Sequence, residues 1–194
     1  MTVLFGGSFD PVHNGHINAV KSVRDALSPD KVIIMPAYVS PFKTSQRQGA
    51  SDIHRLNMCR IAFDGIGTVS DYELTKKDVS YTVDTLEHLI RTSPDEYVLA
   101  VGSDSLRTLP QWHRARDIFA MCSIAAVSRK SGEALAPYAR AVEDMGGQVM
   151  MVQTRPFEVS STELRGLLSQ HGDVSGLMPD GVIRYITENG LYTA

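Results

Sequence analysis

Two histidines three residues apart, His13 and His16, follow the Gly6–Gly7 pair and are the residues of this chain best placed to do chemistry. Residues 2–5 predict a short buried strand, and apolar residues at helical spacing over 17–27 predict a helix. The first N–H groups of a helix have no partner within it and lie at the positive end of its dipole, so they favour an anion. The spacing also places both imidazoles on one helix face, where each can donate to the same phosphate chain. A glycine turn followed by two ordinary histidines is the alternative.

A second candidate phosphate site lies in Val-Ser-Ser-Thr-Glu-Leu-Arg at residues 159–165. Ser160 followed three residues later by Glu163 is the pattern of a capping box, which predicts that a helix starts here. Hydroxyls, helix N–H groups and the guanidinium of Arg165 could converge on two phosphate oxygens. A helix that is simply well capped is the alternative.

Composition limits the class of protein. The chain has 194 residues, of which 43% are hydrophobic and 21% charged, so one sizeable core and a single domain over residues 1–194 are expected. The formal net charge of −3 predicts neither nucleic acid nor a membrane as a partner. With no targeting segment and no run of about 18 apolar residues, the sequence predicts a cytoplasmic protein. Cys59 and Cys122 lack metal-ligand spacing and are expected to be buried free thiols.

Strand-like apolar runs alternate with helix-like segments along the chain. This alternation predicts an α/β fold with a Rossmann-like, doubly wound parallel sheet covered by helices on both faces. Ligands of such sheets bind beyond the carboxyl ends of the strands, so the turns after the strands should hold the site. The predicted strands are 2–5, 32–35, 69–70, 97–101, 124–127 and 149–152, and the predicted helices are 20–27, 56–63, 83–90, 118–122, 135–145 and about 179–189.

The segment at about 37–50 is rich in Ser, Pro, Gln and Gly and is predicted to be a mobile loop that orders over a bound nucleotide. Lys43 lies in this loop, shortly after the second predicted strand. Its ammonium could neutralise phosphate charge between two substrates. A solvated surface lysine is the alternative.

Both phosphate segments resemble motifs of a known superfamily. Residues 6–16 resemble the (H/T)xGH motif of the nucleotidyltransferases, and residues 159–165 resemble their ISSTxxR motif, with Val159 in place of isoleucine. The resemblance implies that His13 and His16 contact ATP phosphates and stabilise the departing pyrophosphate. It implies that the second motif grips the β- and γ-phosphates. The implied ATP-binding residues are Gly6, Gly7, Ser8, Phe9, His13, His16, Ser160, Ser161 and Arg165, and the implied catalytic residues are His13, His16, Lys43 and Arg165.

Three middle segments and the C-terminal segment narrow the resemblance to bacterial nicotinate-mononucleotide adenylyltransferases. Residues 80–86 resemble SYT(V/I)DTL, residues 102–105 resemble G(A/S)DS, residues 109–113 resemble the tryptophan-containing loop, and residues 177–192 resemble LPxxVxxYI…NGLY. The resemblance implies Thr82, Trp112 and His113 as substrate-binding residues, and the residue types and positions of Lys43 and Asp104 add these two.

Physical chemistry supports two of these substrate-side residues. A flat pyridinium stacks well on the indole of Trp112, and Asp104 could bind a ribose hydroxyl or orient hydrated Mg²⁺. A core position for Trp112 and helix capping by Ser103 or Asp104 are the alternatives. One residue departs from the family pattern, because Phe42 stands where these enzymes commonly have histidine.

The resemblance implies an enzyme of NAD biosynthesis that transfers AMP from ATP to nicotinate mononucleotide, giving nicotinate adenine dinucleotide and pyrophosphate. Direct in-line attack is expected, since a substrate phosphate oxygen is already ionised and needs no protein nucleophile. Mg²⁺ is expected to arrive on the ATP phosphates rather than in a protein metal site, since no Asp/Glu cluster has ligand spacing. The partners are then two small molecules, and association into a homo-oligomer is left open.

Alternatives to this function differ in how well they fit the sequence. The sequence does not separate nicotinate from nicotinamide mononucleotide as substrate, because main-chain groups that recognise a carboxylate or an amide leave no residue signature. Phosphopantetheine adenylyltransferases share the nucleotide motifs but not the middle segments. Class I tRNA synthetases need a tRNA-binding domain that this chain does not supply. A nucleotide sensor without turnover should have lost phosphate ligands that remain here.

Overall fold

Short apolar runs form the six strands of one parallel sheet in the computed structural model, which describes residues 1–41, 49–128, 134–154 and 157–193. The strands are β1 (Thr2–Gly7), β2 (Lys31–Pro36), β3 (Thr68–Val69), β4 (Tyr97–Gly102), β5 (Cys122–Val127) and β6 (Val149–Val152). Their order in the sheet is β3-β2-β1-β4-β5-β6, and every neighbouring pair is parallel. This is the Rossmann-like order, in which the chain winds outward in both directions from β1.

Helices connect the strands and cover both faces of the sheet. The described helices are α1 (Asn14–Leu27), α2 (Asp52–Ala62), α3 (Tyr72–Lys76), α4 (Thr82–Thr92), α5 (Ser103–Thr108), α6 (Ala115–Met121), α7 (Ala136–Glu143), α8 (Ser161–Ser169) and α9 (Asp180–Glu188). A 3-10 turn at Leu109–Gln111 joins α5 to the segment before α6. Among the described residues, no helix is both long and apolar enough to cross a membrane.

The core is divided by the sheet, because successive strand residues point to opposite faces. Val3 and Phe5 pack on one face with residues of α1, α2, α8 and α9. Leu4 packs on the other face with residues of α4, α5, α6 and α7. These two layers of helices confirm the predicted doubly wound α/β fold.

Most predicted elements are confirmed, but some of their bounds differ. The helix predicted at 118–122 is wrong at its end, because Cys122 already pairs with Tyr97 as the first residue of β5. The helix predicted at 135–145 is shorter, ending at Glu143. Helices α3 and α5 were not predicted, since five or six residues make too few turns to show a 3.6-residue period.

Both cysteines are free and buried, as predicted. Cys59 lies in the core on one face of the sheet and Cys122 in the core on the other. Burial raises the pKa of the Cys59 thiol far above its usual value and raises the pKa of Cys122 to about 12. Both side chains therefore act as small apolar core residues.

The sheet order creates a crevice at one edge. β1 pairs with β2 on one side and with β4 on the other, so the connections that leave β1 and β4 diverge over opposite faces. Ligands of open α/β sheets bind at such a switch point, beyond the carboxyl ends of the strands. The candidate site should therefore lie after Gly7 and Gly102, the last residues of β1 and β4.

Candidate active site

A cleft of about 600 Å³ opens where β1 and β4 end. Its floor includes residues of both strands, and its walls come from the starts of α1, α4, α5 and α8. A cavity of this volume is within the usual range for sites that enclose a small molecule. Among the predicted site residues it is lined by Gly6, Gly7, Ser8, Phe9, His13, His16, Thr82, Asp104, Trp112, His113, Ser160 and Ser161.

The turn after β1 brings the chain tightly around the ring of Phe9. The backbone of Phe9 has φ 49°, in the left-handed region that bulky residues rarely adopt, and its side chain is 1% exposed. A Cβ at Gly7 would lie 3.0 Å from this ring, so a side chain there would require the ring to move by a few tenths of an ångström. The Phe9 ring packs edge-on against the His16 ring with centroids 5.0 Å apart, and this contact restrains the histidine.

His13 and His16 form a stacked pair at the start of α1. His13 is the N-cap of the helix rather than part of it, and His16 is the third helical residue. The ring centroids are 3.7 Å apart and the rings are inclined by 25°. The backbone N–H of His13 donates to Nδ1 of His16 over 3.2 Å, so a neutral His16 ring carries its proton on Nε2. The two rings thus lie side by side at a helix N-terminus, although His13 precedes the helix instead of sharing a helix face with His16, as the spacing predicted.

The second phosphate segment forms the start of α8. Ser160 is the N-cap, and its Oγ accepts from the Glu163 N–H over 3.2 Å while the Ser160 N–H donates to Glu163 over 2.9 Å. This confirms the predicted capping box. Ser161 donates its hydroxyl to the carbonyl of Pro11 over 3.0 Å, which joins α8 to the turn after β1. The N-termini of α1 and α8 therefore open on the same cleft.

Arg165 points at the protein rather than into the cleft. One guanidinium nitrogen donates to the carbonyl of Asp10 over 2.7 Å, and another donates to the Thr162 hydroxyl over 3.3 Å. Among the described residues, those that line the cleft do not include Arg165. Its predicted contact with phosphate stays a prediction, and here it holds the turn between β1 and α1.

The other half of the cleft is aromatic. Trp112 is half-buried, lines the cleft and donates from Nε1 to the Thr108 hydroxyl over 3.2 Å. The exposed His113 ring packs against Tyr81 with centroids 4.4 Å apart. Tyr81 is the N-cap of α4, and Thr82 is its first residue. The predicted substrate-side residues from two separate segments thus meet at one end of the cleft.

Asp104 lies at the second position of α5 with its side chain exposed beside the cleft. Gly102 is the N-cap of this helix, so the alternative that Ser103 or Asp104 caps it is wrong. The core alternative for Trp112 is correct in part, because its ring also packs against the core cluster of this sheet face.

Lys43 and Phe42 lie outside the described residues, as do the others from 42 to 48. The described flank of the predicted loop does reach the site, since Ala37, Ser40 and Pro41 line the cleft.

A protein-family model matches most of this chain. The model of the cytidylyltransferase-like family matches residues 4–167, which include both phosphate segments. The chain belongs to this family.

Named relatives of this cytidylyltransferase-like chain extend over nearly its whole length. A probable nicotinate-nucleotide adenylyltransferase of Gemmatimonas aurantiaca is 36% identical, with 97% of this chain and 90% of the relative aligned. One of Chlorobaculum parvum is 37% identical, with 98% of each chain aligned. The Plasmodium falciparum nicotinic acid mononucleotide adenylyltransferase in complex with NaAD has a TM-score of 0.81 at 17% identity, covering 98% of this chain and 96% of the other. At that identity the structural likeness supports the fold alone.

The site is also held in place by side chains that were not among the predicted site residues. Arg55, which is 5% exposed, donates to the carbonyl of Ser8 over 2.7 Å. The carboxylate of Asp10 accepts from the Ala50 N–H over 3.0 Å and from the Tyr192 hydroxyl over 2.6 Å. Burial, together with that carboxylate, raises the pKa of Tyr192 well above its usual value. These contacts fix the backbone that carries Phe9 and the histidines.

These supporting contacts are hard to predict from the sequence. Arg55 and Asp52 are three residues apart and form an ion pair of 2.8 Å, which a helical charge pattern could have suggested. Nothing in the pattern says that the same guanidinium also reaches a backbone carbonyl.

Metal ligands do not cluster in the part of the chain that the structure describes. Within residues 1–41, 49–128, 134–154 and 157–193, no group of three or more His, Cys, Asp or Glu side chains could hold a metal ion.

Proposed function

We propose that this chain is a nicotinate-nucleotide adenylyltransferase, which transfers AMP from ATP to nicotinate mononucleotide and releases pyrophosphate. The observation that carries the proposal is that one cleft joins two helix N-termini to an aromatic pocket. A triphosphate suits the first part, and a pyridine ring suits the second. The names of the relatives, which extend over nearly the whole chain, support the same reaction.

The reaction needs positioning more than it needs reactive side chains. The attacking phosphate oxygen of the mononucleotide is already ionised near neutral pH, so no protein nucleophile or strong base is required. Holding this oxygen in line with the α-phosphorus of ATP can contribute roughly 7–11 kcal/mol through proximity and orientation. The helix N-termini and imidazoles offset the repulsion between the two anions.

In this proposal the histidine pair acts on the ATP phosphates. His16 carries its Nε2 proton toward ligand because Nδ1 already accepts from the His13 N–H. Donors fixed beforehand around the leaving pyrophosphate stabilise the charge that develops on it without having to reorganise. Ser160 and Ser161 at the start of α8 bind the terminal phosphates, and Arg165 and Lys43 supply further positive charge for them.

The pyridine ring of nicotinate mononucleotide stacks on Trp112, and its carboxylate accepts from N–H groups at the start of α4, beginning at Thr82. His113 closes the same end of the pocket by packing on Tyr81. Asp104 accepts from a ribose hydroxyl, since its carboxylate is exposed at the edge of the cleft.

Mg²⁺ enters as part of the substrate, bound to the ATP phosphates, and screens their charge during transfer. We propose that the chain works as one nucleotidyltransferase domain and that it does so in the cytoplasm, where ATP is abundant.

The deciding experiment compares two acceptors. Purified protein with ATP and Mg²⁺ is timed for pyrophosphate release with nicotinate mononucleotide and with nicotinamide mononucleotide. We expect release at least about tenfold faster with the acid, which is about 1.4 kcal/mol of discrimination at the ring substituent. Preference for the amide would overturn the substrate but keep the reaction. Tight ATP binding without release on either acceptor would overturn the enzyme in favour of a nucleotide sensor.

A further inference from the structure

Glu73 is a buried carboxyl group that the proposed reaction does not use. It lies in the short helix α3, is 8% exposed and lines the cleft near the pyridine end. Burial raises the pKa of Glu73 above the usual value for glutamate, and hydrogen bonds from two hydroxyl groups oppose that rise. Burying a carboxyl group costs free energy unless it is hydrogen-bonded, so its hydrogen bonds indicate which segments it holds.

The hydrogen bonds of Glu73 join three separate segments. The Thr85 hydroxyl of α4 donates to Oε1 of Glu73 over 2.6 Å, and the Ser80 hydroxyl also hydrogen-bonds to this carboxyl group. Ser80 in turn accepts from the Tyr38 N–H over 2.9 Å. Glu73 is thus the shared acceptor for α4 and for the segment before it, and through Ser80 it is linked to the chain that follows β2.

Ser80 and Thr85 flank the residues that form the pyridine end of the cleft. Between them lie Tyr81, the N-cap of α4, and Thr82, its first residue. The Ser80 N–H donates to the carbonyl of Val39 over 2.9 Å, which holds the same segment from its other side. A shift at Glu73 would therefore be passed to Tyr81 and Thr82 before it reached the phosphate half.

We propose that Glu73 is a positioning residue for the mononucleotide, which it serves by holding the start of α4 through Ser80 and Thr85. This inference rests on the proposed function, since it names what that site needs to bind its acceptor substrate. Glu73 acts through its two hydroxyl donors, and the pyridine ring meets the residues that these donors hold.

A purely structural role would give a different result. If the carboxyl group only stabilised α3 against α4, its loss would lower the free energy of unfolding and reduce the amount of active enzyme. Both KM values would then stay unchanged. A positioning role changes the KM for the mononucleotide and leaves the KM for ATP alone, because the histidines and α8 lie at the other end of the cleft.

The test compares variants of Thr85 in the full chain, with KM and kcat measured for ATP and for nicotinate mononucleotide. Thr85→Val removes the hydroxyl donor while keeping the shape of the side chain, and we expect the KM for the mononucleotide to rise about tenfold or more. The KM for ATP should stay within about twofold. Thr85→Ser keeps the donor and should restore the KM for the mononucleotide. Glu73→Gln keeps the volume and one acceptor oxygen, and its KM should fall between the two.

Thr92→Val is the matched control on the same helix. The Thr92 hydroxyl donates to the carbonyl of His88 over 2.9 Å in an exposed position, away from the cleft. We expect both of its KM values to match those of the wild type.

The outcomes separate the two proposals. Wild-type turnover with unchanged mononucleotide KM in both Thr85→Val and Glu73→Gln overturns the positioning role alone, as does an equal rise in the two KM values. A wild-type protein that adenylates no pyridine mononucleotide overturns the proposed function and this inference with it.

Discussion

A single methyl group at Gly15 would disturb the histidine pair. A Cβ built there lies 3.0 Å from Nδ1 of His13, so the His13 ring has to move away by a few tenths of an ångström. We expect Gly15→Ala to displace His13 from His16 and to lower kcat roughly 10–100-fold, since small displacements at a reacting centre are costly.

Gly166 provides the matched control for Gly15→Ala. It lies within α8. Apart from its chain neighbours and the nearby backbone of α8, no described atom lies within 4 Å of a Cβ built there. Gly166→Ala should keep full activity and raise the free energy of unfolding by about 0.5–1 kcal/mol. Equal activity losses in the two variants would show that helix backbone, and not the His13 contact, is responsible.

Removal of the His16 ring tests the leaving-group role directly. We expect His16→Ala to lower turnover by roughly 10²–10³-fold while circular dichroism and the unfolding midpoint stay near wild type. The control is His171→Asn, because His171 is exposed and its φ of 53° suits asparagine. Wild-type turnover in a folded His16→Ala protein would remove His16 from the mechanism.

At the scale of elements, Asp95 ties the start of β1 to the segment before β4. The Thr2 hydroxyl donates to this carboxylate over 2.6 Å and the Glu96 N–H donates over 2.8 Å. These hydrogen bonds lower the pKa of Asp95. A carboxylate whose pKa is lower in the folded state than in the unfolded chain stabilises the fold at pH values above its unfolded pKa of about 4. This stabilisation is lost as the pH falls through the folded pKa.

Asp95→Asn should therefore be less stable than wild type near neutral pH, and the difference should shrink in acid. Urea unfolding at about pH 7 and about pH 3 measures both differences. A constant difference between the two pH values would show that the Asp95 charge does not matter.

The elements differ in how well the sequence announces them. The strands follow from apolar runs such as 97–101, and the start of α8 follows from the Ser160 and Glu163 pattern. Helices α3 and α5 are too short for a period to be read. Glu73 was missed with α3, because a glutamate in a polar segment gives no sign that tertiary packing will bury it.

The site residues divide in the same way. The position of the histidines and serines at the cleft could be predicted because these residues belong to compact motifs. The contacts of Arg55 and Arg165 could not, since both guanidiniums donate to backbone carbonyls, and a backbone acceptor is the same at every residue. Which cation neutralises phosphate is thus a question of tertiary structure.

For the whole molecule, the two cysteines report on the two core layers separately. Cys59 and Cys122 are buried on opposite faces of the sheet, and burial raises the pKa of each thiol. We expect neither to react with a thiol reagent near neutral pH while the protein is folded, and both to react once urea unfolds it. One thiol reacting fast in the folded protein would show that the layer containing it opens independently of the other.

The hydrogen bond from Tyr192 to Asp10 has a consequence for how the protein is made. Its two residues are 182 positions apart in the chain. At roughly 5–20 residues per second, a ribosome adds Tyr192 about 10–40 s after Asp10. Through that interval the nascent turn after β1 lacks this contact, and for most of it the turn also lacks the contacts from Ser161 and Arg165. The first segment to be synthesised is therefore held in place by some of the last residues to be added. Nucleotide binding should appear only late in translation.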